Sequence, residues 1–347
     1  MIDRKKDRLR LGLLAAGTAA VFLLSFFLGR YGVRVGTTLQ ILLDRLLRAV
    51  SFGRLGLEPC WTGAEQTVVV QVRLPRIAAA ALVGAALSGA GCAYQGMFRN
   101  PMVSPDLLGA STGAGFGAAL AILLGCSAAA VTGISFVTGL FAVALAMLLG
   151  RKARLDPLLS TVLSGVMISS LFSSATSFLK LAADPEAQLP AITYWLMGSL
   201  SSVRLSDLRF AAIPIFLGLI PLYLLRWRME LLTVSDAEGQ SMGVNTALLR
   251  GVIVACATLA TAGSVCISGM IGWVGLVVPH LCRLMFGQDA RRLLPASMLL
   301  GAVFLTATDD LARLIATSEV PLGILTSFVG VPVFLALILK GGVRREA

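Results

Sequence analysis

The chain has 347 residues, of which 57% are hydrophobic and only 14% charged, and it carries a formal net charge of +11 at a mean hydropathy of +0.87. A soluble domain devotes about a quarter of its residues to Asp, Glu, Lys and Arg, so a water-soluble globule is excluded. The excess of Lys and Arg is what membrane proteins concentrate in cytoplasmic loops, and it implies no nucleic-acid partner.

The missing charge is local. Residues 77–98, 107–150 and 252–281 contain no Asp, Glu, Lys or Arg, and about 20 apolar residues suffice to span a bilayer. In lipid the backbone satisfies itself only as helices or a closed barrel. Barrel strands alternate polar and apolar residues, and these runs do not, so the class is all-α and polytopic.

In chain order, a basic segment at 1–10 precedes an apolar run at 11–28. It looks like a signal peptide, but no small-residue cleavage site follows, so it is taken as the first span. Ten spans are predicted: 11–29, 77–98, 105–124, 128–149, 157–179, 208–225, 249–267, 271–286, 294–314 and 321–339. The eighth is short, and its Gly-Trp-Val-Gly start at 272–275 predicts a broken helix. An even count puts both termini on one side. Basic clusters at 4–10, Arg99, 151–154, 226–228, 283–292 and 344–345 then share that side, which the positive-inside rule makes the cytoplasm. All 347 residues read as one transmembrane domain.

The first outer loop, 31–72, carries Arg34, Arg45, Arg48 and Arg54. Within it Leu39, Leu42, Leu43, Leu46, Leu47 and Val50 recur near helical spacing, which predicts an amphipathic helix over 38–50 lying on the outer face. In the spans, Gly84, Ser88, Gly89 and Gly91, then Gly109, Gly113 and Gly117, place small residues where helices approach closely.

Catalytic chemistry is missing. There is no G-x-x-x-x-G-K-[ST] and no H-E-x-x-H, and His280 is the single histidine, so the ordinary nucleotide loop, zinc site and base–nucleophile pairing are absent. The six cysteines lack metal or disulfide spacing and read as packing residues. The chain is therefore expected to bind no metal or cofactor and to act by moving something across the membrane. In the fifth span Ser160, Ser164, Ser170, Ser174 and Ser177 recur at spacings compatible with one helical face. They would suit an uncharged polar pathway, or would bond backbone carbonyls one turn back. Arg73, Arg76 and Arg313 stand at outer span ends, against the orientation signal. They would pair with carboxylates of a partner or reach to lipid phosphates. The loop 227–250 mixes Leu231, Leu232, Val234, Met242 and Val244 with polar residues, as a short helical element facing a cytoplasmic partner would. An ion-coupled transporter usually needs ionisable groups near the midplane, whereas Asp106, Asp156, Asp184, Asp207 and Glu319 all fall near span ends.

Taken together, these strings resemble the FecCD family of ABC importer permeases, which serve ferric siderophores, haem and cobalamin. The resemblance runs from about Arg73 to Lys340. It rests on Arg-Leu-Pro-Arg at 73–76, the run 84–95, Arg-Asn-Pro-Met-Val-Ser-Pro at 99–105 with Leu-Gly-Ala at 108–110, and Trp-Leu-Met-Gly-Ser-Leu at 195–200. It continues through 269–280, ending in Pro-His, then Arg283, Leu-Pro at 294–295, the run 309–313 and Glu-Val-Pro-Leu-Gly at 319–323. It implies a type II ABC importer architecture in a prokaryotic plasma (inner) membrane. The implied partners are a second permease copy or paralogue, two cytoplasmic ATPase subunits that bind ATP and Mg, and an extracytoplasmic binding protein. Solute, most simply a ferric siderophore, would pass by alternating access along the dimer interface. The resemblance assigns binding-protein docking to Arg73, Arg76 and Arg313. It assigns ATPase coupling to Leu232, Val234, Ser235, Asp236, Gly239, Ser241, Met242 and Gly243. There the chain departs from the family pattern: Val-Ser-Asp at 234–236 replaces Leu-Gly-Asp/Glu, and Gly239 replaces Ala. His280 reads as a packing residue, or as a haem ligand.

Overall fold

Each of the ten predicted spans coincides with a helix. The structure, a computed structural model, describes residues 4–51, 56–58, 60–153, 156–232, 243–315 and 319–343, and these contain no strand. The helices are α1 (Arg4–Ser25), α2 (Val35–Val50), α3 (Gly63–Thr67), α4 (Leu74–Met97), α5 (Ala110–Leu123), α6 (Ala128–Lys152), α7 (Pro157–Ala182), α8 (Gln188–Met197), α9 (Leu205–Leu225), α10 (Thr246–Ser268), α11 (Val274–Phe286), α12 (Ala290–Ile315) and α13 (Leu322–Val343). Among the described residues six are long and apolar enough to cross a membrane, while α5 and α11 are shorter apolar helices. The remaining two spans fall on α12, with its charged ends, and α13.

Local chemistry sets where the helices start. Asp156 caps α7 by accepting from the Leu158 and Leu159 amides, with Pro157 at the first helical position, where its missing N–H costs nothing. Asn245 caps α10 through the Leu248 amide. The third span starts later than predicted: Gly109, at φ +86°, turns the chain in the left-handed region and α5 begins only at Ala110. The eighth span starts later than predicted and is not broken within: Trp273 holds φ +69°, and α11 begins at Val274 and runs unbroken to Phe286.

The second span departs most from the sequence reading. Thr62 and Glu65 form a reciprocal capping box, and the helix runs without a break from Gly63 to Met97. Between α3 and α4 lies a π turn, Val68–Arg73. Pro75 has no N–H and its ring crowds the carbonyl one turn earlier, and the wider turn accommodates it. Arg73, the last residue of that turn, is buried.

Helix α4 is the axis of the bundle, packed by α9, α10, α11 and α12. Its antiparallel register on α12 joins Arg76 to Asp309 and Gly84 to Gly301, and Ser88 Oγ donates to the Ser297 carbonyl at 2.7 Å. An added Cβ at Gly84 would collide with the Gly301 carbonyl, and one at Gly91 with the Gly275 carbonyl. The small-residue faces read from the sequence are therefore helix contacts. Helix α2 forms slightly longer than predicted and seats Ile41 in a satellite cluster with Phe26, Val69, Val70 and Ile77.

Candidate functional site

The three singled-out arginines converge at one end of the bundle. Arg73 leaves the π turn, Arg76 the first turn of α4 and Arg313 the last turn of α12, and they are only 4, 5 and 7% exposed. Arg76 Nε donates to both carboxylate oxygens of Asp309 at 3.0 Å, and its Nη2 donates to Oδ1 at 2.9 Å. Its Nη1 donates to Glu319 Oε1 at 2.8 Å. Arg313 pairs with Asp310, lies 3.3 Å from Asp309, and donates to Ser25 Oγ at 2.9 Å. Ser25 in turn donates to Asp310 at 2.5 Å. Arg73 differs: it donates to the Phe26 and Tyr31 carbonyls at 2.6 and 2.5 Å. Among the described residues no carboxylate is paired with it. Together with Arg30, Tyr31 and Glu319, the three line a cleft of about 190 Å³.

This is a layered charge site. Asp309 and Asp310 neutralise Arg76 and Arg313 from within, since buried charges are tolerated only when paired and hydrogen-bonded. Glu319 is the most accessible carboxylate in the network, its side chain 28% exposed, and among the described residues its Oε2 has no partner. The sequence placed the arginines at span ends but did not single out Glu319 or Ser25 as members of the site. The signal for Glu319 was its place at the outer start of the tenth span.

The serines of α7 do not share one environment. Ser160 and Ser164 are buried against the bundle. Ser170, Ser174 and Ser177 lie on the exposed side with Met167 and Phe178. Ser177 Oγ also donates to the Ser173 carbonyl at 3.0 Å, the back-bonding alternative. A feature missed in the sequence is an apolar cavity of about 690 Å³ bounded by Met197 of α8, Met270, Gly323 and Phe328. Helix α8 was not expected, because ten residues are too few to show a clear period.

At the opposite end, Leu232 closes a 3₁₀ turn, Met229–Leu232, and its carbonyl accepts from Arg99 Nε at 2.8 Å. Gly243 stands at φ +77°. Val234, Ser235, Asp236, Gly239, Ser241 and Met242 lie outside the described residues. Leu231, Gly243 and Val244 border a cleft of about 600 Å³ beside that segment. Glu230, in the same turn, has its pKa raised to about 7, first by the hydrogen bond it shares with Asp289 and then by burial. His280 packs edge-on to Phe334 at 6.0 Å between ring centres. Among the described residues no cluster of His, Cys, Asp and Glu could hold a metal. Four of the six cysteines are buried, as packing residues are.

The structure is a helical membrane bundle with a charged cleft at one end and a basic opposite end. The chain belongs to the FecCD transport family, whose model matches residues 17–340. A probable iron chelatin transport system permease of Helicobacter pylori is 44% identical over 273 residues, 79% of this chain and 82% of that protein. The molybdate import system permease MolB of Haemophilus influenzae is 38% identical over 330 residues, 95% of this chain and 94% of that one. A solved inward-facing ABC transporter described as of the metal-chelate type superposes with a TM-score of 0.82 at 36% identity, covering 96% of this chain and 98% of that chain. The chain is thus the membrane-spanning permease subunit of an ABC importer, which displaces the ion-coupled reading.

Proposed function

We propose that the chain forms the translocation half of a binding-protein-dependent importer that takes up a ferric siderophore. The observation that carries the reading is the convergence of Arg73, Arg76 and Arg313 on one small cleft. By the positive-inside rule, the end bearing Arg99, Arg151, Lys152, Arg226 and Arg228 faces the cytoplasm, as do both termini, in a prokaryotic inner membrane. The cleft then opens outward. Its guanidinium forks suit two acidic side chains of an extracytoplasmic binding protein. Arg73, offset only by carbonyls, would receive the first carboxylate, and Glu319 would yield its place on Arg76 to the second.

On the cytoplasmic side the segment from Leu232 to Gly243 meets one of two ATPase subunits. These bind ATP and Mg, while this chain binds no nucleotide or other cofactor itself. A second permease copy or paralogue completes the pathway, and Ser170, Ser174 and Ser177 give it hydroxyls too weak to trap a bulky solute. The relative named for iron chelatin supports the siderophore. The relative named for molybdate makes that oxyanion the competitor, with haem and cobalamin behind. The test is uptake in a strain lacking the chain against its complemented parent, with labelled ferric siderophores, haem, cobalamin and molybdate, with and without ATP depletion. An ATP-dependent deficit for ferric siderophore alone is expected, and a deficit confined to another solute would overturn the substrate.

A further inference from the structure

Helix α2 turns its apolar side away from the protein. Val35, Leu39, Leu43, Leu46 and Val50 recur at steps of three or four, so they share one face, and each is 48–72% exposed. A helix bathed in water would turn polar residues there. Here the face that is buried carries Thr38, Ile41 and Asp44.

The orientation is locked by the fold. Asp44 accepts from Arg48 Nε at 2.8 Å and from the Leu57 amide at 2.8 Å. Ile41 is only 2% exposed, packed with Phe26, just past the end of α1, and with Val69 and Val70 of the π turn. Among the described residues nothing covers the opposite stripe.

Its surroundings identify the occupant. The neighbouring span α1 is exposed at Leu23 and Leu24, and Leu28 beyond its end is exposed too, so the stripe prolongs a lipid-facing surface past the end of that span. Tyr31 is exposed at the same end and Trp61 packs against the cluster that includes Ile41, the residue types that sit at headgroup level. Arg34 and Arg45 are exposed, placed to reach lipid phosphates while the leucines enter the acyl boundary.

We propose that α2 is a membrane-interface helix that inserts Val35, Leu39, Leu43, Leu46 and Val50 into the phospholipid leaflet on the side of the arginine cleft. Its inner face rests on Val69 and Val70, one turn before Arg73, so the lipid surface also sets the height at which the cleft is presented. This holds for any solute and does not depend on which proteins dock.

The test uses the full chain in nanodiscs of phosphatidylcholine and phosphatidylglycerol, with Leu46→Cys in a Cys60→Ser background carrying a thiol-linked fluorophore. The Cys60→Ser chain alone measures background labelling. Phosphatidylcholine with a nitroxide at acyl carbon 5 is expected to quench the dye several-fold more than iodide does. A dye quenched by iodide and not by the nitroxide lipid would place the stripe in water. One shielded from both would place it under protein, a second copy or a binding protein. Either result overturns the proposal.

Discussion

Gly84→Ala tests whether the α4–α12 contact organises the charged cleft. The added Cβ would lie 2.8 Å from the Gly301 carbonyl carbon, closer still to its oxygen, and 2.9 Å from Leu305 Cβ. Carbon atoms sit comfortably at about 3.5 Å, so the helices must part by about 0.7 Å at this level. Overpacking of this kind costs about 1–3 kcal/mol, and the better helix propensity of Ala returns about 0.5–1 kcal/mol. The parting reaches the site. The Ser88–Ser297 hydrogen bond at 2.7 Å and the Arg76–Asp309 bonds at 2.9–3.0 Å span the same two helices, and stretching by that amount takes the latter past hydrogen-bonding range. The control is Gly133→Ala in α6, where an added Cβ meets nothing within 4 Å. Thermal unfolding in nanodiscs is expected to show Gly84→Ala less stable than the parent by about 1–2 kcal/mol and Gly133→Ala equal or slightly better. If Gly84→Ala matches Gly133→Ala, the close packing and its link to Arg76 are wrong.

Arg76→Met strands Asp309, which is 1% exposed, with only the Arg313 contact at 3.3 Å. The expected loss is about 3–5 kcal/mol, against about 1 kcal/mol or less for Glu319→Gln, because Glu319 is itself 28% exposed and its loss leaves Arg76 still paired with Asp309. Equal midpoints for the two variants would contradict the layered site. Arg73→Gln is expected to weaken binding-protein affinity at least tenfold while leaving the thermal midpoint within a few degrees, and unchanged affinity in a pull-down or surface-binding titration would remove Arg73 from docking. Glu230 has a native pKa of about 7 against an ordinary 4.5, so the folded state holds more protons than the unfolded between those values. Its contribution to stability therefore falls as pH rises from 4.5 to 7 and is level above. Glu230→Gln should flatten that part of a pH–midpoint curve, and a curve of unchanged slope would reject the shared proton. Replacing Ser170, Ser174 and Ser177 together by Leu should abolish uptake without loss of stability, since all three are exposed in the single chain; full uptake by that variant would take the pathway off this face.

The spans were legible because the absence of charge over about 20 residues is a property of the local sequence and needs no tertiary contact. Their ends were less so. The left-handed turns at Gly109 and Trp273 delay α5 and α11, and a backbone dihedral leaves little trace in hydropathy. Arg73 and Pro75 read as the edge of a span, yet the helix runs back through them to Gly63, with a π turn at Val68–Arg73 ahead of the proline. The serines of α7 show the limit of periodicity: spacing put five on one face, but α7 packs against α5 and α6 so that Ser160 and Ser164 alone among them are buried.

By itself the sequence determined that this is an all-helical membrane protein of about ten spans, bearing the motifs of one importer family. Those conclusions rest on composition, order and short motifs, which survive any rearrangement of the helices. Only the tertiary structure decided that Arg76 meets Asp309, 233 positions away, that Glu319 completes the pairing, and that α2 turns its leucines outward. Such meetings depend on helix register and rotation, which are set by how glycines on distant helices fit together, and no window of adjacent residues contains that information.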